Sequence, residues 1–277
     1  MSTLRNRFVR DLTIRNYSDR TITSYVKGLI GISKFYSKCP SVLSTSEIKD
    51  YLKHLTDEGK SWSTINLVIS ACNLLYKETL QQPEKIQSIG RPKLQKILPV
   101  VFSEEEIECL LSLIKNIKHK AILMTGYSAG LRSGELCNLK IADIDSSRLR
   151  IIVRNAKGHR DREVILSKKL LSYLRYYVKI YAPEVYLFNG QNKGNPISRS
   201  SLQKIFKNAL RTSGIQKNAS VHTLRHSFAT HLMNQGIDIR IIQQLLGHKS
   251  IKTTLIYCHL TSNRFDNTKS PLDDLNI

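Results

Sequence analysis

The chain has 277 residues, 41% of them hydrophobic, and a net charge of +21 from 43 Lys and Arg against 22 Asp and Glu. That length and apolar content suffice for two domains with separate cores. The positive surplus asks for a polyanionic partner, nucleic acid first, and no apolar run approaches the ~18 residues of a membrane span.

The N-terminal "MSTLRNRFVRDLTIRNYS" is basic and lacks an apolar core, so it is not read as a secretory signal. Three helices follow. Ser18 is a predicted cap for a stripe of Ile22, Tyr25, Val26 and Leu29. "STSE" at Ser44 to Glu47 has the form of a capping box, leads into Ile48, Tyr51, Leu52 and Leu55, and stops at Gly59. A third helix is expected from Ser63, with Ile65, Ile69, Cys72, Leu75 and Tyr76 on one face. Residues 1–82 thus read as a helical unit with a basic surface.

Pro83, Gly90, Pro92 and Pro99 then break both helix and strand patterns. Lys85, Arg91, Lys93 and Lys96 make this stretch, 83–100, a basic linker suited to a phosphate backbone. "SEEE" at Ser103 to Glu106 is a second capping box and opens a domain over 101–265. That domain begins helical, then passes to two strands, "RLRIIVRNA" and "REVILS", joined by a turn that carries Lys157. Helices resume at "KKLLSYLRYYVKIYA" and "RSSLQKIFKNALRTSG". Another is expected to start near Thr223, with His222 at its cap, and to stop at Gly236. Asp238 and Ser250 are predicted caps for two more, and residues 266–277 form a tail. The five cysteines are scattered, odd in number and without CxxC spacing, as expected of a reducing cytoplasm.

"VHTLRHSFATHL" places three histidines and an arginine in about three helical turns. His222 and His226 are spaced as two metal ligands could be, but Thr223 stands where a metalloprotease has Glu, and no carboxylate or thiolate lies nearby. His226 and His231, set among Leu224, Phe228 and Leu232, read as core histidines. His222 and Arg225 read differently once His248 in "LLGHKSIKTTLIY", Tyr257 nine residues on, and Arg132 in "AGLRSGEL" are set beside them. Glu135 follows Arg132 by three and suits an orienting partner. No GxxxxGK loop is present, which is consistent with a reaction that needs no ATP, and no cofactor is expected.

With Lys157 in "NAKGHRDREV", these four blocks resemble, in order and spacing, the tyrosine recombinases or phage integrase family. The resemblance covers most of the second domain, and more loosely the first. It implies a mainly α protein: a helical, SAM-like core-binding domain, then an α-rich catalytic domain with a small antiparallel sheet, clamped around duplex DNA. It implies a catalytic set of Arg132, Lys157, His222, Arg225, His248 and Tyr257, with no metal.

In that set Tyr257 is the nucleophile, and the two arginines clamp the charge gathering on the phosphate. His222 and His248 add donors, and His222 is a reasonable base for the phenol. Lys157 protonates the departing 5′ oxygen, with Lys140, Lys168 and Lys193 as substitutes. The product would be a 3′-phosphotyrosyl bond, and four subunits on two sites would exchange strands through a Holliday junction. The short N-terminal region implies a compact Xer-like or mobile-element enzyme. Leu272, Leu275 and Ile277 in the tail either dock in a neighbouring subunit or fray. A tyrosine-type DNA-relaxing enzyme and a silent DNA binder of the same fold are the competing functions.

Overall fold

The structure is a computed structural model that describes residues 2–91, 98–154, 161–192 and 194–260. Its packing divides the chain into two units, Met1–Lys96 and Ile97–Ile277. The fold is mainly α, with one small sheet.

The first unit holds α1 (Ser2–Ile14), α2 (Asp19–Tyr36), α3 (Thr45–Asp57), α4 (Trp62–Leu74) and the single turn α5 (Glu84–Gln87). Helix α1 was not foreseen, because its apolar stripe is narrow; Phe8 and Leu12, one turn apart, are each 1% exposed. Ser18 caps α2, and Ser44 with Glu47 forms the capping box of α3. Gly59 lies beyond the end of α3 at φ 68°, where a side chain would be strained. Helix α4 starts earlier than Ser63, since Ser61 is the residue whose hydroxyl accepts from the Thr64 N–H. It runs on into a wider turn over Leu75–Thr79. Ile48, Ile65, Ile69 and Cys72 lie in the core of this unit, joined by Ile86 of α5.

The second unit begins at α6 (Glu104–Ser112), whose capping box is Ser103 with Glu106. Then come α7 (Ile117–Ser128), α8 (Ser133–Asn138) and the antiparallel strands β1 (Ile144–Asp145), β2 (Arg150–Val153) and β3 (Arg162–Ile165), in that order across the sheet. Arg150 pairs with Ile165 and Val153 with Arg162, so β2 and β3 form the expected hairpin. Lys157, between them, lies outside the described residues, as do Lys193 and the whole tail. Helices α9 (Lys168–Tyr181), α10 (Arg199–Ser213), α11 (Val221–Asn234) and α12 (Ile239–Leu246) complete the unit.

Two boundaries differ from expectation. Helix α11 starts at Val221, because Ser220 rather than His222 is the cap and Thr223 accepts from the Ser220 N–H. His222 therefore stands in the first turn. The segment after Ser250 is not an α-helix but two 3-10 turns, Ile251–Thr253 and Leu255–His259. The core gathers Ile122, Leu136, Ile151, Val164, Phe206 and Leu224, and a smaller cluster joins Phe228, Ile242 and Leu246 to Tyr257. None of the helices among the described residues is long and apolar enough to cross a membrane.

Candidate active site

Three arginines from three elements meet at the C-terminal end of α12. Arg162 Nε donates to the Leu245 carbonyl (2.8 Å), Arg225 Nη2 to the Leu246 carbonyl and Arg132 Nη2 to the Gly247 carbonyl (3.0 Å). The last carbonyls of a helix have no partner inside it and lie at the negative end of its dipole, so they are natural seats for cations. Gly247, at φ 62°, is the left-handed residue that closes the helix. A Cβ on it would come within 2.9 Å of Arg162 Cδ.

Arg225, on α11, is 1% exposed. Its Nη1 donates to the carbonyl of Gly130, beyond the end of α7, at 2.7 Å. Gly130 has φ 57°, and a Cβ there would lie 2.4 Å from the Phe228 ring, so this carbonyl is offered by a position only glycine fits. Burial, and then the charge of Arg132, pull the Arg225 pKa down to about 9, partly countered by Glu135. Its Nε has no hydrogen-bond partner among the described residues. A buried cation with an unspent donor is suited chemically to an anion.

Arg132 caps α8 and is bound to Glu135, which accepts from its backbone N–H and from its Nη1, both at 2.8 Å. Glu135 also accepts from Arg162 Nη1 and Nη2, at 2.9 and 2.7 Å, and lies 3.9 Å from Arg225 Nη1. Burial would raise its pKa, but the Arg162 and Arg132 hydrogen bonds and charges carry it down to about 2. The pairing of Arg132 with Glu135 is thus part of the arginine cluster, as expected of an orienting partner.

His222 is exposed at the mouth and packs edge-to-face on His226, with ring centroids 4.5 Å apart. Burial, and then Arg225, lower its pKa. His248 follows Gly247 directly and shares its Nδ1 with Thr254 Oγ1 (2.9 Å), while its ring stacks on Tyr257 with centroids 6.4 Å apart. Tyr257 is 1% exposed, and its hydroxyl lies 3.0 Å from His226 Nδ1. Burial raises the Tyr257 pKa, while Arg225 and Arg132 oppose that shift.

His226 therefore does not simply fill the core: the histidine that meets the Tyr257 hydroxyl is His226 and not His222. His231 does fill the core, between the Tyr127 hydroxyl (2.8 Å) and the Phe102 carbonyl (2.9 Å). Its Nε2 must donate to that carbonyl, so its Nδ1 accepts from the tyrosine.

Arg132, His222, Arg225, His248 and Tyr257 are thus brought together from elements more than a hundred residues apart. Arg162 was missed, although it lies in the quoted block with Lys157. The available signal was strand alternation, which puts Arg162 on the same face as fully buried Val164. A cavity of about 750 Å³ opens beside the site, and Arg132, Lys140, Arg154, Arg199 and His222 stand on its wall. Arg154, at the end of β2, is anchored by buried Asp143 (2.7 Å). Lys168 and Lys169 begin α9 and are not among the residues lining that cavity's wall near Lys140. Among the described residues no three His, Cys, Asp or Glu side chains gather as metal ligands would.

Comparison with known proteins gives a consistent picture. The phage integrase family profile matches residues 101–264, and the profile of the phage integrase N-terminal SAM-like domain matches residues 4–86. The tyrosine recombinase XerA of Pyrococcus horikoshii is 36% identical over 259 residues, 92% of this chain and 88% of its own length. The protein y4qK of Sinorhizobium fredii, assigned to the integrase/recombinase class, is 36% identical over 277 residues, 99% of this chain and 89% of its own. A crystal structure of the XerH site-specific recombinase on palindromic difH substrate, a post-cleavage complex, shares the fold with a TM-score of 0.77 at 23% identity, over 94% of this chain and 82% of that one.

Proposed function

The chain belongs to the phage integrase family of tyrosine recombinases, and on that premise we propose which of its residues break and rejoin DNA, and how. It is a site-specific DNA recombinase. Duplex DNA is its substrate, as a DNA-bound relative of the same fold supports. The scissile phosphate sits against Arg225 and Arg132, with His222 and His248 as further donors. The observation that carries this assignment is the buried Arg225, whose Nε has no hydrogen-bond partner among the described residues and whose charge is pressed by Arg132. Two guanidiniums held by helix-end carbonyls are preorganised for the charge that develops on the non-bridging oxygens, and need not rearrange when it appears.

Tyr257 Oη attacks phosphorus, and the 5′ oxygen leaves as a hydroxyl. The bond formed is a 3′-phosphotyrosine, and its energy is kept for rejoining. Lys157, between β2 and β3 in the sequence, supplies the proton to the 5′ oxygen. Arg154 and Arg162, at the two strand ends, anchor that hairpin to Asp143 and Glu135. Four subunits on two sites exchange strands in pairs through a Holliday junction. The tail, residues 266–277, docks on a neighbouring subunit through Leu272, Leu275 and Ile277. A hollow of mixed character, with Leu111, Met124, Phe228 and Leu232 beside Glu104, Glu108 and Lys169, is a candidate seat. The protein acts where chromosomal or mobile-element DNA lies, in the cytoplasm.

A strand-relaxing enzyme is not favoured because the relatives are recombinases, and the presence of the full set of proposed catalytic residues argues against a silent DNA binder. Covalent trapping tests the assignment. Wild-type and Tyr257→Phe proteins are expressed, cells are lysed in strong detergent, and DNA that stays on the protein is sequenced. Adducts in the wild type alone, at a few discrete loci, are expected. Adducts spread over the genome would overturn site specificity, and adducts in Tyr257→Phe would overturn the nucleophile.

A further inference from the structure

Tyr257 must lose a proton to become a nucleophile, and its buried hydroxyl has a partner 3.0 Å away in His226 Nδ1. His226 lies one helical turn after His222 and directly after Arg225, half-buried beneath the exposed His222 ring. Its ring is 5.7 Å from the Tyr257 ring and tilted by 52°, so the contact is edge-directed and not a stack. His222, at the mouth, is one ring farther from the phenol.

Charges around His226 keep it neutral before DNA arrives. Burial, then His222 and Arg225 on its own helix, lower its pKa to about 4. Arg132 and Arg162 add positive charge on the far side of Arg225, Glu135 opposes them, and His248 faces the same phenol from the segment after α12. A neutral imidazole has one ring nitrogen with a lone pair. A phenol donates readily to such a nitrogen, so the tautomer with its proton on Nε2 leaves Nδ1 able to accept from the Tyr257 O–H, 3.0 Å away. A phosphate seated on Arg225 offsets the charge that helps to lower the His226 pKa, which makes His226 a stronger base at the moment it is needed.

We propose that His226 is the proton acceptor for Tyr257. As the Oη–P bond forms, the phenolic proton passes to Nδ1. As the P–O5′ bond breaks, the 5′ oxygen takes a proton from the general acid. In rejoining, the 5′ hydroxyl returns its proton to that acid and attacks phosphorus, and the departing phenolate recovers its own from His226. Charge and protons balance in both directions. His222 is left free to act as a donor to the phosphate. This assignment rests on Tyr257 being the nucleophile.

The test is single-turnover cleavage of a nicked suicide duplex carrying a locus recovered by the trapping experiment, with rates followed against pH. His226→Asn keeps an acceptor near the Nδ1 position but cannot take the proton, and His226→Gln serves if the Asn variant folds poorly. DNA binding and thermal melting verify each variant. General-base loss is expected to slow cleavage at neutral pH by about a hundredfold or more. The variant's rate should then climb with pH, about tenfold per unit, as the phenol ionises unaided, while the wild-type profile stays nearly flat. Replacing Tyr257 by 3,5-difluorotyrosine, a more acidic phenol, should restore much of the variant's rate.

A variant within about threefold of wild type would overturn the proposal. So would a slowed variant whose pH profile runs parallel to the wild type and gains nothing from the fluorinated phenol, because His226 would then only position the ring. Adduct formation by Tyr257→Phe, measured alongside, would instead sink the nucleophile assignment itself.

Discussion

Arg162 and Glu135 are joined by a two-point hydrogen-bonded ion pair, at 2.9 and 2.7 Å, with both side chains 9% exposed. The same carboxylate holds Arg132, so one acidic group fixes a strand of the hairpin and half of the proposed phosphate clamp. Removing one partner of a buried pair strands the other, at a typical cost of about 3–5 kcal/mol. Arg162→Ala should lose that much stability in urea unfolding followed by a probe in the second unit. It should also lose cleavage, because Arg132 and the hairpin shift together. Arg162→Lys should regain only part of each, since an ammonium cannot reproduce the two parallel bonds. Unchanged unfolding of Arg162→Ala would refute the linkage.

Arg225→Lys tests the clamp with the charge retained. A lysine at this place cannot span the Gly130 and Leu246 carbonyls and still face the phosphate. Loss of one such donor costs about 3–4 kcal/mol of transition-state stabilisation, so cleavage should fall by roughly two to three orders of magnitude. DNA affinity should change little, because the many other basic contacts remain. A variant that cleaves at the wild-type rate would show that Arg225 is only a structural cation.

The site histidines give the free protein a pH-dependent stability. His226 and His248 are each pushed down to about 4, chiefly by burial and then by their cationic neighbours. Their unfolded value is near ~6.5, so the unfolded chain binds more protons in this range. Their contribution is fully present above about pH 6.5 and is lost as pH falls through the window down to about 4. Denaturation at a series of pH values should show this decline, and His248→Asn should make it shallower. Glu135, held at about 2, acts lower, losing its contribution only between its ordinary range and that value. An equal decline in His248→Asn would remove His248 from the account.

Lys157 can be tested as the acid by changing the leaving group. A 5′-bridging phosphorothioate leaves without protonation, so it should rescue Lys157→Ala and leave Tyr257→Phe inactive. Lys140, with its ammonium 6.0 Å from the Tyr186 ring on the cavity wall, is the comparison. Rescue of Lys140→Ala in place of Lys157→Ala would move the acid to that residue.

The caps at Ser18, Ser44, Ser103 and Asp238 were legible because a cap is a contact between residues two or three apart. Alternation likewise exposed the hairpin. Near the site the same local reading failed by two residues at Ser220, where the hydroxyl accepts from the His222 N–H and displaces that histidine from the cap. The 3-10 turns around Tyr257 escaped notice too, since the spacing of Ile251, Leu255 and Ile256 fits a helix, whereas the structure packs Tyr257 and Ile256 against Phe228 and Leu246 and leaves Ile251 and Leu255 exposed.

By itself the sequence determined the helical class, the two basic units and the order of the chemical groups, Arg132, Lys157, His222, Arg225, His248 and Tyr257. The class and the basic units follow from local periodicity and charge, whereas the set of chemical groups is what the resemblance of four spaced blocks to the tyrosine recombinases implies. Only the tertiary structure decided which groups touch. Arg162 reaches α12 across 83 residues, Arg132 across 115, and Arg225 finds Gly130 across 95. Which histidine meets the phenol turned on how α11 faces the segment after α12, and packing rather than spacing settles that. Three carbonyls left over at one helix end set the positions of three guanidiniums, because a buried acceptor must be satisfied and the partners that satisfy it come from wherever the core delivers them.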